Sequence, residues 1–337
     1  MKIQNSLTTV KLDNTGHKFT TTIKLSKMHD ERLDQLEDWL EIFFDDADFT
    51  LSKASDDASF RRYFRIERSN LSFIAMDAPP EKENAKLFIE IANLLRDNNV
   101  RAPKIIDADL EQGFLLIEDL GNTTFLQALN KQPKLDLYKM AIDELVKIQT
   151  INTENQNLAS YDSALLMKEM QLLVDWYLPK NIHQDQLNQL TEIFEILITN
   201  AINSPQVFVH RDYHSRNLMI TRQKISVIDF QDSVIGSNTY DLASLLKDAY
   251  FELSATEIQA LLAYFYQQAD IQTAFTDFEK QFDLMGLQRH LKVLGIFKRL
   301  SLRDNKHQYL DDIPLVKKYA LQMADKYPEF SLLKTIL

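Results

Sequence analysis

Cysteine is absent from the 337 residues, which excludes disulfides, thiolate metal sites and cysteine nucleophiles. Glycine is scarce at six residues, and no internal repeat or low-complexity block interrupts the chain, so a solenoid array is excluded. No apolar run approaches the roughly 20 residues that a bilayer span requires. A basic excess is also missing: 38 Lys and Arg stand against 49 Asp and Glu, a formal charge of −11. That balance argues against nucleic acid or an anionic membrane as partner and leaves room only for a local basic pocket. Residues Met1 to Lys27 are rich in Thr, Lys and Asn without the apolar centre of a secretory signal, so they read as an N-terminal extension, with the cytoplasm as compartment.

What remains is an ordinary globular composition, 45% apolar and 26% charged, in a chain longer than one hydrophobic core usually supports. Two lobes are expected, residues 28–119 and 120–337. Leu33, Leu36, Trp39, Leu40 and Phe43 recur at helical spacing. Phe49–Leu51, Tyr63–Ile66 and Ser72–Met76 read as strands, and the polar stretch from Ser55 to Arg62 between the first two is either a plain hairpin turn or a phosphate loop. Lacking glycine, such a loop would rely on backbone N–H groups with Ser59, Arg61 or Arg62. A helix from Pro79 to about Asn98 and a strand at Lys104–Ile106 follow. The segment Gly113–Gly121 begins as a buried strand and ends, at Glu118, Asp119 and Leu120, in a turn suited to a hinge whose backbone could meet a planar base. Beyond Asn122 helical periodicity dominates. The fold class is therefore α+β, a small β-rich lobe followed by a mainly helical one.

The stretch Val207–Asp232 carries the chemistry. Its apolar runs 207–209, 218–220 and 225–228 are short strands, which places His210, Asp212, Asn217 and Asp229 at strand ends and in loops. A carboxylate at Asp212 can take a proton from, or orient, an attacking hydroxyl. The amide oxygen of Asn217 and the carboxylate of Asp229 are hard ligands that suit Mg²⁺ shared with nucleotide phosphates. Taken alone, His210 reads as architectural, His214 as an exposed loop residue and Arg211 as the partner of a nearby acid.

At these residues the chain resembles the aminoglycoside phosphotransferase and choline kinase branch of the kinase-like superfamily: His210-Arg211-Asp212 to Asn217 matches the catalytic loop, Ile228-Asp229-Phe230 the metal motif, and Tyr240-Asp241-Leu242-Ala243 the continuation into the next helix. The resemblance covers roughly Leu51 to Tyr250. It implies a two-lobed fold with ATP as donor, Asp212 as base, and Asn217 with Asp229 on Mg²⁺. Ser59 to Phe64, Met76 to Pro80, Phe230-Gln231-Asp232 and Gln288 to Phe297 are further similar to the bacterial kinases that phosphorylate the anomeric hydroxyl of N-acetylmuramate and N-acetylglucosamine in cell-wall recycling. That likeness implies ATP contacts from Ser59, Phe60, Arg61, Arg62, Met76, Glu118, Asp119 and Leu120. It also implies acceptor contacts from Arg216, Asp232, Asp241, Arg289, Arg299 and Arg303. The chain departs from the superfamily pattern on its third strand, where Phe73 to Asp77 contains no lysine. The basic run from Arg289 to Lys306 is either a solvated helix face or the lining of a pocket for an acidic sugar. A kinase of another hydroxylated metabolite such as an aminoglycoside, and a catalytically silent nucleotide sensor, stay open as alternatives.

Overall fold

The structure is a computed structural model that describes residues 6–12, 18–24, 30–55, 60–154 and 156–337. It divides into two compact units, residues 1–50 and 51–337. In the first, β1 (Ser6–Leu12) pairs antiparallel with β2 (Lys18–Lys24), so the expected extension contains a hairpin. The helix α1 (Glu31–Phe44) begins where Asp30 accepts the Leu33 N–H, 3.1 Å.

The second unit opens with a five-stranded sheet in the order β3 (Thr50–Ser55), β4 (Arg62–Arg68), β5 (Leu71–Asp77), β7 (Phe114–Glu118), β6 (Ile105–Asp109). Strands β4, β5, β7 and β6 pair antiparallel in turn. The sheet centre is apolar on both faces at Phe114–Ile117, as a strand with neighbours on either side should be. Gly113 turns the chain into β7 with φ +74°, and a side chain there would run into the Ala78 carbonyl. Between β5 and β6 lies α2 (Ala85–Asp97), capped by Asn84, with Phe88, Ile91, Ala92 and Leu95 as its buried stripe.

Helices α3 (Phe125–Leu129) and α4 (Lys134–Gln149) begin the helical part. The short strand β8 (Ala159–Ser160) leads to α5 (Ser163–Leu172), which relaxes into a π-turn over Leu173–Tyr177, and then to α6 (Gln184–Asn203). Next come β9 (Gln206–Val209), the hairpin β10 (Leu218–Thr221) and β11 (Lys224–Val227), and β12 (Val234–Ser237), which lies between β8 and β9. Arg222 and Gln223 both take positive φ, as a two-residue hairpin turn demands. The chain closes with α7 (Tyr240–Leu246), α8 (Ala255–Gln268), α9 (Phe275–Asp304), α10 (Ile313–Lys326) and α11 (Leu333–Ile336).

Thirty residues long, or about 45 Å, α9 is buried at almost every position from Phe282 to Gly295. It can therefore deliver polar side chains to the interior rather than to solvent. One continuous core joins Ile74, Met76 and Phe88 of the sheet region to Phe208, Phe230 and Leu242 of the helical part, so the strand cluster of residues 206–237 rests against both. No helix among the described residues is long and apolar enough to cross a membrane.

Candidate active site

Two loops, each held in a strained backbone conformation, face each other at the ends of the short strands. Arg211, after β9, has φ 74°, and Asp229, after β11, has φ 63°; neither is a glycine, so the surrounding bonds must impose the turn. At the first loop Asp241, buried in the first turn of α7, accepts the N–H groups of His210 at 2.6 Å and Arg211 at 3.0 Å. Farther along, Asp248 accepts the Ser215 N–H at 3.0 Å, and the Asn217 N–H closes on the His214 carbonyl at 2.9 Å. Asn217 then ties the two loops together. Its Nδ2 donates to the Asp212 carbonyl, 3.2 Å, and to Asp229 Oδ2, 3.3 Å, while its own carbonyl accepts the Ile228 N–H, 3.1 Å. On the far side Asp229 Oδ1 receives Arg61 Nη2 and Gln231 Nε2, each at 3.0 Å.

The Asp212 carboxyl is half-buried, and burial alone would raise its pKa. Lys292, His214, Arg289 and Arg211 outweigh that effect and hold it below the usual carboxylate range, so it is ionised. Behind it lies a buried ionic group. Glu169 of α5 receives Lys292 Nζ at 3.0 Å, a close ion pair from Arg211 and a short bond from the Tyr161 hydroxyl, while Lys292 also donates to Tyr240 Oη at 3.1 Å. Despite burial Glu169 stays below its ordinary value, because Lys292 and Arg211 lie against it. His210 is fully buried and neutral, its pKa pushed down to about 4 by desolvation, and its Nδ1 accepts the Asp212 N–H at 3.3 Å. Asp241 goes the other way, raised to about 7 by burial against the pull of its two N–H donors.

Beside Asp229 a cavity of about 310 Å³ runs under the sheet. Ala54, Ile74, Ile117, Met219 and Ile228 make its apolar walls, and the chain from Glu118 to Asn122 forms one edge. Such a slot, apolar on its faces with backbone along the rim, is what a planar base needs. The acids of that edge are internally engaged: Glu118 binds Arg101 at 2.8 Å, and Asp119 binds Arg65 Nε at 2.7 Å and the Gly121 N–H at 2.8 Å. The Leu120 carbonyl accepts Thr221 Oγ1 at 2.7 Å. These bonds brace the edge along which the cavity runs.

The remaining expected contacts divide. Met76 and Asp232 line a smaller cavity of about 200 Å³ with Arg61. Arg62 pairs with Asp77, and Phe60 is 63% exposed beneath Lys82, 5.3 Å from its ring. Ser59 lies outside the described residues. Arg216 stacks on Tyr250, 3.6 Å to the ring centroid, and reaches the large cavity. Asp241 is turned inward, both oxygens spent on the backbone N–H groups of His210 and Arg211, so it supports the loop rather than facing an acceptor. The basic run on α9 splits by depth: Arg289 and Lys292 are buried among the loop's charges, Arg299 is half-buried, and Arg303 is exposed, paired with Asp304 at 2.7 Å. Arg303 sits about 21 Å along the axis from Arg289, which removes it from the Asp212 group. His214, expected on the surface, is buried, with its ring 5.2 Å from that of Tyr250. Sequence reasoning passed over Glu169, although an acid between Leu166, Met170 and Leu173 on one helical stripe is a visible anomaly.

The oxygens of Asn217 and Asp229 are few and hard, a donor set that fits Mg²⁺ completed by water and phosphate. No group of three or more His, Cys, Asp or Glu is gathered for a metal among the described residues, so the denser ligand sets of zinc sites have no counterpart there.

Comparison with known proteins agrees with this arrangement. Residues 50–273 match the phosphotransferase enzyme family. The N-acetylmuramate/N-acetylglucosamine kinase of Pseudomonas aeruginosa is 40% identical over 296 residues, 85% of this chain and 87% of that protein. Its namesake from Neisseria meningitidis is 36% identical over 91% of this chain and 95% of its own length. Among solved structures, a choline/ethanolamine kinase family protein from Mesorhizobium loti superposes with TM-score 0.63 at 13% identity, covering 90% of this chain and 97% of its own. The GDP complex of aminoglycoside 2'-phosphotransferase-IIIa gives 0.61 at 13%, covering 89% and 100%. At that identity the likeness concerns the fold, a small sheet lobe over a helical one. The match of more than half its length, together with relatives at 36–40% identity, places the chain in the phosphotransferase enzyme family.

Proposed function

We propose that this protein is an ATP-dependent, cytoplasmic kinase of N-acetylated amino sugars, transferring the γ-phosphoryl group to the anomeric hydroxyl of N-acetylmuramate or N-acetylglucosamine. The observation that carries phosphoryl transfer is the Asn217 amide, which joins the Asp212 loop to Asp229 and so fixes a base and a metal ligand in one frame. The acceptor class rests on the relatives that share this chain over nearly its full length and bear that activity in their names.

In this reading the base lies in the large cavity between Ile74 and Met219, with the backbone of residues 118–122 along its edge and the phosphates toward Asp229. Mg²⁺ held by Asn217 and Asp229 would neutralise phosphate charge. Asp212 meets the acceptor hydroxyl, orients its oxygen in line with the γ-phosphorus and takes its proton as the new P–O bond forms and ADP departs. A hemiacetal hydroxyl is more acidic than an ordinary alcohol, so a carboxylate held below its ordinary pKa is a sufficient acceptor late in transfer. Positioning supplies most of the rate. Arg289, 4% exposed and among the cations around Asp212, suits the carboxylate that distinguishes N-acetylmuramate from N-acetylglucosamine.

ADP release measured over N-acetylmuramate, N-acetylglucosamine, an aminoglycoside and choline tests the proposal, with Asp212→Asn as control. The expected result is turnover with one or both amino sugars and a phosphorus resonance coupled to the anomeric proton of the product. Turnover restricted to the aminoglycoside or choline, or none at all, would sink it.

A further inference from the structure

The face of β5 that lines the cavities carries no cation. Ile74 projects into the large cavity and Met76, two residues on and so on the same face, into the small one. Asp77 turns to the opposite face, where Arg62 across the ladder closes on it, Nε to Oδ2 at 2.8 Å. In protein kinases a lysine on this third strand pairs the phosphates and is held by a glutamate of the following helix. Here β5 contains no lysine, and Met76 on its cavity-facing side is fully buried and neutral.

We propose that Arg61 supplies the missing cation, gripping the nucleotide's phosphates from the start of the second strand of the sheet rather than from the third; this rests on the kinase reading above. The alternation along β4 puts Arg61 on the same face as Tyr63 and Arg65, which line the large cavity. Since Arg62 pairs with Asp77 and Tyr63 with Met76, Arg61 lies diagonally beside Met76, and the two share the small cavity. A long side chain from either backbone position therefore reaches the same space. Arg61 is 7% exposed, and its guanidinium lies between two acids. Its Nη2 is 3.0 Å from Asp229 Oδ1, and its Nε is 3.9 Å from Oε2 of Glu83, the residue preceding the cap of α2. Glu83 also accepts the Phe60 N–H at 3.2 Å and so anchors the chain that enters β4. One glutamate thereby fixes both the cation and the end of the loop beside it. Arginine in place of lysine adds a planar fork that matches two phosphate oxygens at once.

Equilibrium binding of ADP with Mg²⁺, and of adenosine, to the full-length protein tests this without turnover, using wild type, Arg61→Met, Arg61→Lys and the double variant Arg61→Met with Met76→Lys. Loss of charged hydrogen bonds to phosphate should weaken ADP binding to Arg61→Met by about tenfold to a hundredfold while adenosine binds as before. Arg61→Lys should lose less. The double variant should regain part of the lost ADP affinity, because its ammonium group returns from the third strand. If Arg61→Met binds ADP as tightly as wild type, or weakens adenosine as much as ADP, the proposal is overturned. Should the double variant fail to melt cooperatively, the single variants decide, and equal losses in Arg61→Lys and Arg61→Met would count against it. A wild type that binds neither ADP nor adenosine would refute the kinase reading itself.

Discussion

Replacing Glu169 with glutamine perturbs the site from behind. The Glu169 carboxylate is the shared end of three interactions, from the buried Lys292 and Tyr161 and from the partly buried Arg211. At the 3.0 Å separation of Lys292 from Glu169, an effective dielectric constant near 20 gives an attraction of roughly 5 kcal/mol. Glutamine keeps the volume and removes the charge, leaving Arg211 and Lys292 facing each other. Breaking a buried ion pair from one side costs about 3–5 kcal/mol, a fifth or more of the stability of a typical domain, about 5–15 kcal/mol. Urea unfolding should therefore show an unfolding free energy lowered by that amount, seen as a lower midpoint with an unchanged slope. Asp212 feels the same change with opposite sign: the two cations, no longer balanced, hold its carboxyl still lower and make it a weaker base. The acid limb of the kcat profile should shift to lower pH and the plateau should fall. Lys292→Met made on its own should also destabilise, yet the double variant should be less impaired than the sum, with a coupling above about 1.5 kcal/mol, because the second change removes a cation that the first left stranded. Strict additivity, or a loss in Glu169→Gln below about 1 kcal/mol, would refute the idea that this group is an ionic unit.

Asp212→Asn should lower kcat by about 10²- to 10⁴-fold while leaving ADP affinity within twofold, as measured by steady-state kinetics beside calorimetry. Gly295→Ala should destabilise the protein by about 1–3 kcal/mol, read as a drop in Tm, since a Cβ at 295 would overlap the backbone of Leu172 and Leu173 where α9 crosses the end of α5. His290→Gln should flatten the acid side of the stability curve. Burial lowers the folded pKa of His290 to about 3 from the ordinary 6.5, so the unfolded chain takes up the proton first; the neutral ring's contribution is intact above pH 6.5 and is lost progressively as pH falls toward 3. Between pH 8 and pH 5 wild type should lose about 2 kcal/mol more than the variant, as followed by urea melts at fixed ionic strength.

Much of this site can be read along the chain because its central parts are local. His210 to Asp232 spans two turns and a hairpin, so the spacing of Asp212, Asn217 and Asp229 in sequence already dictates that they meet once the strands form. The pairing of β4 with β5 is legible for the same reason, because Ser69-Asn70 joins them with Ser69 at φ 54° and the contact is a nearest-neighbour event, whereas the insertion of β7 between β5 and β6 is not. What escaped is set by contacts between residues far apart. Lys292 and Glu169 meet across 123 positions, counted as 292 minus 169, and nothing in the periodicity of α5 or α9 names the partner. The basic run on α9 misled for a related reason. A long helix buried at one end and exposed at the other gives the same cation opposite meanings at Arg289 and Arg303, and depth is a property of the packed molecule rather than of the spacing.

The same division explains how the chain tolerates a neutral third strand. A phosphate-binding site needs a cation at a point in space, and the sheet offers adjacent backbone positions, 61 and 76, from which that point can be reached. Position 76 opens into the small cavity from the buried face of β5, whereas Arg61 enters the same cavity from the edge of the ladder with acids on two sides to offset its desolvation. The exchange thus keeps the electrostatics of the site while moving its origin by one strand. Arg62, next along β4 and on the other face, then neutralises Asp77, which would otherwise be a fully buried carboxylate in the middle of the sheet. The two consecutive arginines answer to two separate buried acids, and for that reason neither should be replaceable by shifting its neighbour.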